Sequence, residues 1–258
     1  MLTLEELKAR RVDDIEALGH VARAVRTRTP FSFVRYNDGE AYILGARREV
    51  EDERVAWILH HWWGWKEPDF EFVEWLRTRL LEVAASTDVL GFFDEIDRKK
   101  ARFSRTGRLL REHADLSKVK AFVSPETALR WHDAHLLERV LQQQPHIKLV
   151  GAYDVSIELS TKFRINSVEW LPIPGHAKYT DQIQWSYSHP LRRFDEINDH
   201  LKRTSKNAIV LVGAGVLGKI YCHTVKTHGG IAIDIGSVFD SWGNNMRRSS
   251  ARVRRQGV

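Results

Sequence analysis

Apolar residues recur at helical spacing through the first 27 residues, and charged residues fill most of the positions between them. The apolar set comprises Leu4, Leu7, Val12, Ile15, Leu18, Val21 and Val25. Pro30 predicts the end of this helix, because proline cannot continue the backbone hydrogen bonding. The run FSFVRY that follows predicts a strand over residues 31–36.

Short apolar runs alternate with longer helical patterns over the rest of the chain. The runs that predict strands lie at residues 88–93, 119–123, 147–151, 167–173, 208–212 and 231–235. Helical patterns lie at residues 51–66, 68–85, 104–114, 127–143, 154–164, 190–203 and 216–227. This alternation requires crossover connections, and it predicts an α/β, Rossmann-like, mostly parallel sheet with helices on both faces. In such a sheet, ligands bind at the carboxyl ends of the strands.

The chain shows no internal repeat and no long linker, which favours one principal domain for its 258 residues. We expect residues 1–29 to form a helical appendage packed on a domain of residues 30–245, followed by a basic tail at residues 246–258. The net charge of +6 is unevenly placed, since the tail region carries Arg247, Arg248, Arg252, Arg254 and Arg255. Such a cluster is typical of a solvated chain end or of a segment that contacts phosphates.

Two features bear on where the protein works. No apolar run approaches the roughly 20 residues of a membrane-spanning helix, and the charged N-terminus lacks the apolar core of a signal peptide. The single cysteine, Cys222, excludes an internal disulfide and is typical of a small core residue. A cytoplasmic location is expected, with a peripheral position at a membrane left open.

A glycine-rich segment, VGAGVLGK, joins a predicted strand to a predicted helix. Gly213, Gly215 and Gly218 fit the G-x-G-x-x-G pattern, and Asp234 ends the next strand, where a dinucleotide fold would hold ribose hydroxyls. Only residues 235–258 follow, too few for the remaining strands of that fold. The segment therefore predicts an anion site or a tightly packed turn, and an NAD(P)-dependent oxidoreductase stays an alternative function.

The same segment also fits the P-loop pattern as far as Lys219. Ile220 replaces the serine or threonine that would hold magnesium in a P-loop. This replacement argues against a P-loop.

The segment FVRYNDGE places Arg35, Asp38 and Glu40 around the end of the first predicted strand. Asn-Asp-Gly is typical of a tight turn, and FSFVRY and AYIL would then be the two arms of a hairpin. The Asp-x-Glu pair can instead bring two carboxylates to one Mn²⁺ or Mg²⁺ ion, which prefers oxygen ligands and leaves positions open for phosphate oxygens. Arg35 is then a candidate partner for a diphosphate.

Two segments resemble the signatures of the GT-D-type glycosyltransferases, a family once labelled only as a domain of unknown function. FVRYNDGE is similar to that family's Arg-Phe-Gly-Asp-Gly-Glu signature, and GGIAIDIGSVFDSW is similar to its Gly-x-x-Ala-Ile-Asp-Ile-Gly segment with a following aspartate. They occur in the family's order near opposite ends of the chain, so the resemblance covers residues 30–245. Tyr36 and Asn37 depart from the usual Phe-Gly, and SVFDSW departs from a more acidic, histidine-containing run.

The resemblance implies a GT-D-like fold and a metal-dependent transferase that moves a hexose from a nucleoside-diphosphate sugar of the UDP-glucose type. It implies that Asp38 and Glu40 act in catalysis by holding Mn²⁺ or Mg²⁺, and that Arg35 shares the charge of the diphosphate. The further donor-binding candidates are Lys178, in the loop LPIPGHAKYTD, and Gly213, Gly215, Asp234, Gly236 and Ser237.

The acceptor side is less defined. An inverting transfer requires a general base, for which His176, Asp181 and Asp240 are candidates. The expected acceptor is a glycan, a glycoprotein, a lipid-linked glycan or a nucleic acid.

Tryptophans are dense between the first two strands. Trp57, Trp62, Trp63, Trp65 and Trp75 predict mostly core packing, while an exposed member can stack on a sugar or a base or lie at a membrane surface. With the basic tail, these residues leave a nucleic-acid-binding protein as a further alternative.

Overall fold

The computed structural model describes residues 2–97, 101–175 and 192–242, apart from the side chains of residues 101–103. The helices are α1 (Leu4–Ala9), α2 (Asp14–Thr27), α3 (Glu40–Leu44), α4 (Asp52–Trp63), α5 (Phe70–Ser86), α6 (Ala101–His113), α7 (Thr127–Asp133), α8 (Leu136–Leu141), α9 (Ser156–Phe163), α10 (Phe194–Thr204), α11 (Gly215–Thr227) and α12 (Val238–Trp242), with a 3-10 turn at Glu95–Asp97. The strands are β1 (Phe31–Arg35), β2 (Val89–Gly91), β3 (Ala121–Val123), β4 (His146–Gly151), β5 (Ser167–Pro172), β6 (Ile209–Gly213) and β7 (Ile231–Asp234).

The seven strands form one parallel sheet in the order β3-β2-β1-β7-β6-β4-β5. All five residues of β1 are buried, as expected for a parallel strand covered on both sides. The predicted mostly parallel α/β sheet with helices on both faces is confirmed.

Successive strand residues supply two separate cores. Val34, Leu90 and Val210 point to the first face, which α3, α4, α5, α6, α10 and α11 cover. Phe33, Val89 and Leu211 point to the second face, which α2, α7, α8, α9 and α12 cover. Cys222 lies in the first core, as its sequence context predicts.

The connections follow a single rule of handedness. Where the next strand lies toward β3, as from β1 to β2, β2 to β3, β5 to β6 and β6 to β7, the described helices between the two strands lie on the first face. Crossovers that step toward β5, namely β3 to β4 and β4 to β5, pass over the second face. This is the distribution that crossovers of one hand require.

The N-terminal helical segment is interrupted, which the apolar spacing did not predict. The Thr3 and Glu6 side chains form a capping box at α1, and Asp13 caps α2 by accepting a hydrogen bond from the Glu16 backbone N–H at 2.8 Å. Between the helices, the Phe122 N–H donates to the Arg10 carbonyl, and the Val12 N–H donates to the Phe122 carbonyl, each at 3.0 Å. This bridge ties the segment to β3, the edge strand, and occupies backbone groups that an open edge would expose.

The strand order indicates where a ligand-binding crevice lies at the edge of the sheet. The carboxyl ends of β1, β7 and β6 are neighbours, at Arg35, Asp234 and Gly213. From β1 the chain passes to α3 on the first face, whereas from β7 it passes to α12 on the second face. Open α/β sheets bind ligands at the carboxyl ends of two adjacent strands from which the chain continues to opposite faces of the sheet.

Candidate functional site at the β1–β7 edge

The loop after β1 leads directly into a helix. The hairpin interpretation is wrong, because AYIL belongs to α3 and the partners of β1 are the parallel strands β2 and β7. Tyr36, at the end of β1, is buried and donates a hydrogen bond from its hydroxyl to the Leu80 carbonyl at 2.6 Å. A Cβ atom on Gly39 would lie 2.9 Å from Trp62 Cζ2, so α4 packs closely against this loop.

The two acids of this loop occupy different environments. Asp38 is exposed, whereas Glu40 is 5% exposed at the start of α3. Glu40 Oε1 lies 3.0 Å from Lys219 Nζ, and Glu40 Oε2 accepts a hydrogen bond from the Asn37 backbone N–H at 2.8 Å. The structure therefore brings Glu40 to a buried lysine and leaves Asp38 at the surface.

Arg35 is engaged inside the protein. Its Nε donates to the Asp234 carbonyl at 2.8 Å, its Nη1 donates to the Pro125 carbonyl at 2.9 Å, and its Nη2 lies 3.3 Å from Asp234 Oδ1. These contacts join β1 to β7 and to the loop after β3. The Arg35 guanidinium, which was expected to contact a diphosphate, is thus buried and already engaged with Asp234 and the Pro125 carbonyl.

Gly236 makes room for this link. Its φ is +48°, a conformation that glycine adopts without strain. A Cβ atom at this position would lie 1.8 Å from Arg35 Nη2. Gly236, which the family resemblance assigns to the donor site, therefore has a packing role against Arg35.

Lys219 is a site residue that the sequence analysis missed. It is 5% exposed on α11, and its Nζ lies 3.0 Å from Glu40 Oε1 and 3.3 Å from Asp234 Oδ2, and donates to the Gly215 carbonyl at 3.1 Å. The available signal was a lysine one helical turn after Gly215, in a segment otherwise apolar. Spacing alone does not show that its partner acid lies near the other end of the chain.

The cluster of Arg35, Glu40, Lys219 and Asp234 contains two positive and two negative groups. Burial by itself would lower the pKa of Lys219, but the negative charges of Asp234 and Glu40 outweigh it and raise that pKa. Burial would raise the pKa of Asp234, but the charges of Lys219 and Arg35 outweigh it and lower that pKa. Both groups are therefore charged at neutral pH, and opposite charges compensate one another in a buried site.

The glycine-rich segment is shaped by packing. A Cβ atom on Gly213 would lie 2.4 Å from Phe239 Cδ2, and one on Gly218 would lie 3.0 Å from Val212 Cγ1. Gly215 opens α11 with a φ of +59°. Because Asp234 is 3% exposed and engaged with Arg35 and Lys219, it does not present its carboxylate to a ribose, which removes the support for the NAD(P) alternative.

The segment after β7 borders the same edge. Gly236 and Ser237 are half-buried, and Asp240 is 5% exposed in α12. The Asp240 backbone N–H donates to the Ser237 carbonyl at 3.1 Å. Three further candidates, His176, Lys178 and Asp181, lie outside the described residues.

Two further findings concern the described ranges only. Within them, no group of three or more histidine, cysteine, aspartate or glutamate side chains is arranged to hold a metal ion. None of the helices in the described part of the chain combines the length and the apolar character needed to cross a bilayer.

Known proteins resemble this chain both in family and in fold. The model of the GT-D fold-like domain matches residues 13–242. A selenomethionine-substituted structure of domain of unknown function 1792, and a structure reporting a distinct glycosyltransferase fold for that domain, each give a TM-score of 0.55 at 16% identity, over 88% of this chain and 83% of theirs. A glycosyltransferase with this domain from Streptococcus sanguinis gives a TM-score of 0.53 at 15% identity, over 86% of this chain and 80% of its own.

No curated protein matches the sequence significantly. The structural likeness supports the fold, and the family match covers most of the chain, including both segments that carry the resemblance. The chain therefore belongs to the GT-D fold-like family, and it is a glycosyltransferase of that family.

Proposed function

We propose that the protein transfers a hexose from a nucleoside-diphosphate sugar of the UDP-glucose type to a hydroxyl group of an acceptor. The observation that carries the proposal is the position of Asp38, an exposed carboxylate on the loop between β1 and α3. This loop borders the crevice at the carboxyl ends of the parallel strands, where the family would place its donor. The buried groups Arg35, Glu40, Lys219 and Asp234 already compensate one another's charge. The Asp38 carboxylate, in contrast, is exposed and can reach a ligand.

The proposal includes Mn²⁺ or Mg²⁺. These ions are often held by one or two carboxylates together with substrate phosphates and water, so a site with one exposed carboxylate fits them. Of the predicted pair of metal ligands, Asp38 would hold the ion, because both oxygens of the Glu40 carboxylate are already engaged, one by Lys219 and the other by the Asn37 N–H. Such an ion, when bound, neutralises the charge that develops on the leaving diphosphate.

Glu40 has a different part in this proposal. One of its oxygens pairs with Lys219 and the other accepts the Asn37 N–H, so its carboxylate fixes the start of α3. Because it holds the backbone of Asn37, directly before Asp38, it orients the exposed carboxylate.

The N-terminus of α11 adds to the donor site. This helix of 13 residues begins at Gly215, next to the carboxyl end of β6, and a helix N-terminus favours negative charge. On the other side of the crevice, the backbone at Gly236 and Ser237 is the expected contact for the donor. Lys178 stays a predicted donor contact, and His176, Asp181 and Asp240 stay candidate bases.

The test is the thermal stability of the full chain with a panel of nucleotide sugars, in the presence of manganese or of EDTA. We expect one donor to raise the melting temperature with manganese only, since a ligand that binds the folded state stabilises it. Asp38→Asn should abolish this shift and the metal-dependent hydrolysis of the donor. Asp195→Asn, a change of another exposed aspartate on α10, is the matched control. A shift that persists both in EDTA and in Asp38→Asn would contradict the proposal.

A further inference from the structure

Helix α4 carries an exposed tryptophan on its outer side. Val55, Ile58 and Leu59 are buried against the first face of the sheet, whereas Trp57 is 55% exposed. Among the described residues, the other large apolar side chains with high exposure are the aliphatic Ile15 and Ile157. Trp57 therefore presents more aromatic surface to solvent than the packing of α4 requires.

The indole of Trp57 is held by two other rings. It stacks on His61, one helical turn further along, with ring centroids 5.2 Å apart and an interplanar angle of 19°. It also contacts Tyr42 of α3 at a tilt of 47°, with centroids 6.0 Å apart. We refer to Tyr42, Trp57 and His61 as the aromatic ledge. Because the rings are already in contact, a ligand that binds the ledge has less side-chain freedom to restrict.

The ledge lies beside the candidate catalytic loop. Tyr42 follows Gly39 by three residues, roughly 4.5 Å along the helix axis. Gly39 is packed against Trp62 of the same helix α4 that carries Trp57. Asp38, directly before Gly39, is exposed. A ligand on the ledge would thus sit next to the proposed donor site.

The chemistry of the ledge fits a neutral sugar ring. A pyranose has a face of C–H groups that packs on an aromatic ring, and hydroxyl groups around its rim that need polar partners. Trp57, with 55% of its surface exposed, supplies the flat surface, while the Tyr42 hydroxyl supplies a polar group at its margin. We propose that the aromatic ledge binds the acceptor, and that this acceptor is a carbohydrate whose terminal sugar stacks on Trp57, an inference that rests on the proposed transferase function.

Charge favours this occupant over a polyanion or a membrane. Glu51, Asp52 and Glu53 are exposed at the start of α4, and the adjacent Arg54 pairs with Glu51. The net charge of this turn is therefore negative, and it would repel phosphate groups of nucleic acids or anionic lipids. A membrane-binding surface also needs several exposed apolar side chains together, and α4 offers Trp57. A single ledge of three rings matches one or two sugar units.

The first test measures sugar binding without a donor. Saturation-transfer NMR on the full chain uses cellobiose, maltose, lactose and chitobiose as probes. We expect at least one disaccharide to bind through its ring protons, Trp57→Ala to weaken that binding roughly tenfold, and Trp57→Phe to restore part of it. Ile157→Ala, which removes an 82% exposed apolar side chain from α9 on the second face, should bind as the wild type does.

The second test separates this inference from the proposed function. With a hydrolysable donor, Trp57→Ala should lower the ratio of transfer to a bound disaccharide over donor hydrolysis by about tenfold, since the donor site is separate. A wild type that binds none of the four disaccharides, or a Trp57→Ala variant that binds them as well as the wild type, overturns the ledge as a sugar site. Binding of phosphatidylglycerol vesicles or poly(U) that is lost in Trp57→Ala also overturns it. Absence of donor hydrolysis with intact disaccharide binding would instead contradict the transferase proposal and leave the sugar site standing.

Discussion

Lys219 Nζ lies 3.0 Å from Glu40 Oε1, in a contact between α11 and the start of α3. The same ammonium group lies 3.3 Å from Asp234 Oδ2 at the end of β7. One buried lysine thus connects the two segments that carry the family resemblance. The consequence for function is that Glu40 is fixed inward while its neighbour Asp38 stays exposed.

Replacement of Lys219 by methionine tests this connection. Methionine keeps much of the volume but removes the charge, which leaves the buried Glu40 carboxylate without its ion-pair partner and leaves Asp234 paired with Arg35 alone. Breaking a buried ion pair in this way costs about 3–5 kcal/mol. We expect a loss of that order in the free energy of unfolding, measured by urea denaturation. Lys206→Met, at an exposed position, is the control, and a loss for Lys219→Met no larger than that of the control would show that the pairing adds nothing.

Substitution of Gly236 by alanine should displace the Arg35 guanidinium. The new Cβ would lie 1.8 Å from Arg35 Nη2, and the backbone would be held at a φ of +48°. A left-handed residue other than glycine costs about 1–2 kcal/mol before any clash is counted, so we expect a larger total loss of stability in chemical denaturation.

The matched control for Gly236 is Gly19→Ala in the middle of α2, where nothing lies within 4 Å of the added atom. Helix propensity predicts that this second change stabilises the protein by up to about 1 kcal/mol. Equal effects of the two substitutions would be inconsistent with a steric role for Gly236.

The glycine at the end of β6 should be coupled to Phe239. A Cβ atom on Gly213 would lie 2.4 Å from Phe239 Cδ2, so Gly213→Ala overpacks this contact and should cost about 1–3 kcal/mol. In a Phe239→Ala background the ring is absent, and the same change should cost much less. The measurement is a double-mutant cycle of unfolding free energies. Additive effects would mean that Gly213 is required for a reason other than the ring.

Stability should fall at acidic pH through buried carboxylates. Burial by itself would raise the pKa of Asp88, but contacts from Lys226, Lys120 and the Ser32 N–H outweigh it and lower that pKa below its ordinary value of 3.8. A carboxyl whose pKa is lowered by folding stabilises the protein above its unfolded-state pKa, and this contribution is lost as the pH falls through the folded-state pKa.

The variant for this test is Asp88→Asn, compared with the wild type by urea denaturation from pH 7 down to pH 2. We expect the wild type to be the more stable at neutral pH and the difference to shrink below about pH 4, where protonation removes the charge from the wild type as well. Glu67→Gln, an exposed loop change, should follow the wild type throughout. A difference that stays constant down to pH 2 would contradict the predicted role of the Asp88 charge.

The periodic pattern was sufficient for the sheet and its layers. Short apolar runs separated by amphipathic helices predicted the strands within a few residues, because residues buried on both sides of a strand must be apolar in succession. The family resemblance predicted that the loop around Asp38 and the end of β7 belong to the candidate site, because both segments have distinctive residues in a fixed order.

The local sequence pattern gave wrong predictions of secondary structure where contacts between residues distant in sequence determine it. The apolar spacing of residues 3–27 is continuous, yet the backbone of Arg10 and Val12 pairs with Phe122 and separates α1 from α2. Asn-Asp-Gly has the composition of a hairpin turn, yet AYIL forms α3, which packs against α4 and α5.

What the sequence determined by itself was the α/β architecture and the identity of the acids at the end of β1, since both follow from residues close together in the chain. The tertiary structure alone decided that Glu40 faces Lys219 and that Arg35 faces Asp234. The partners of a buried charge are set by which strands and helices meet at the sheet edge, and that meeting depends on the order of the strands rather than on any local spacing.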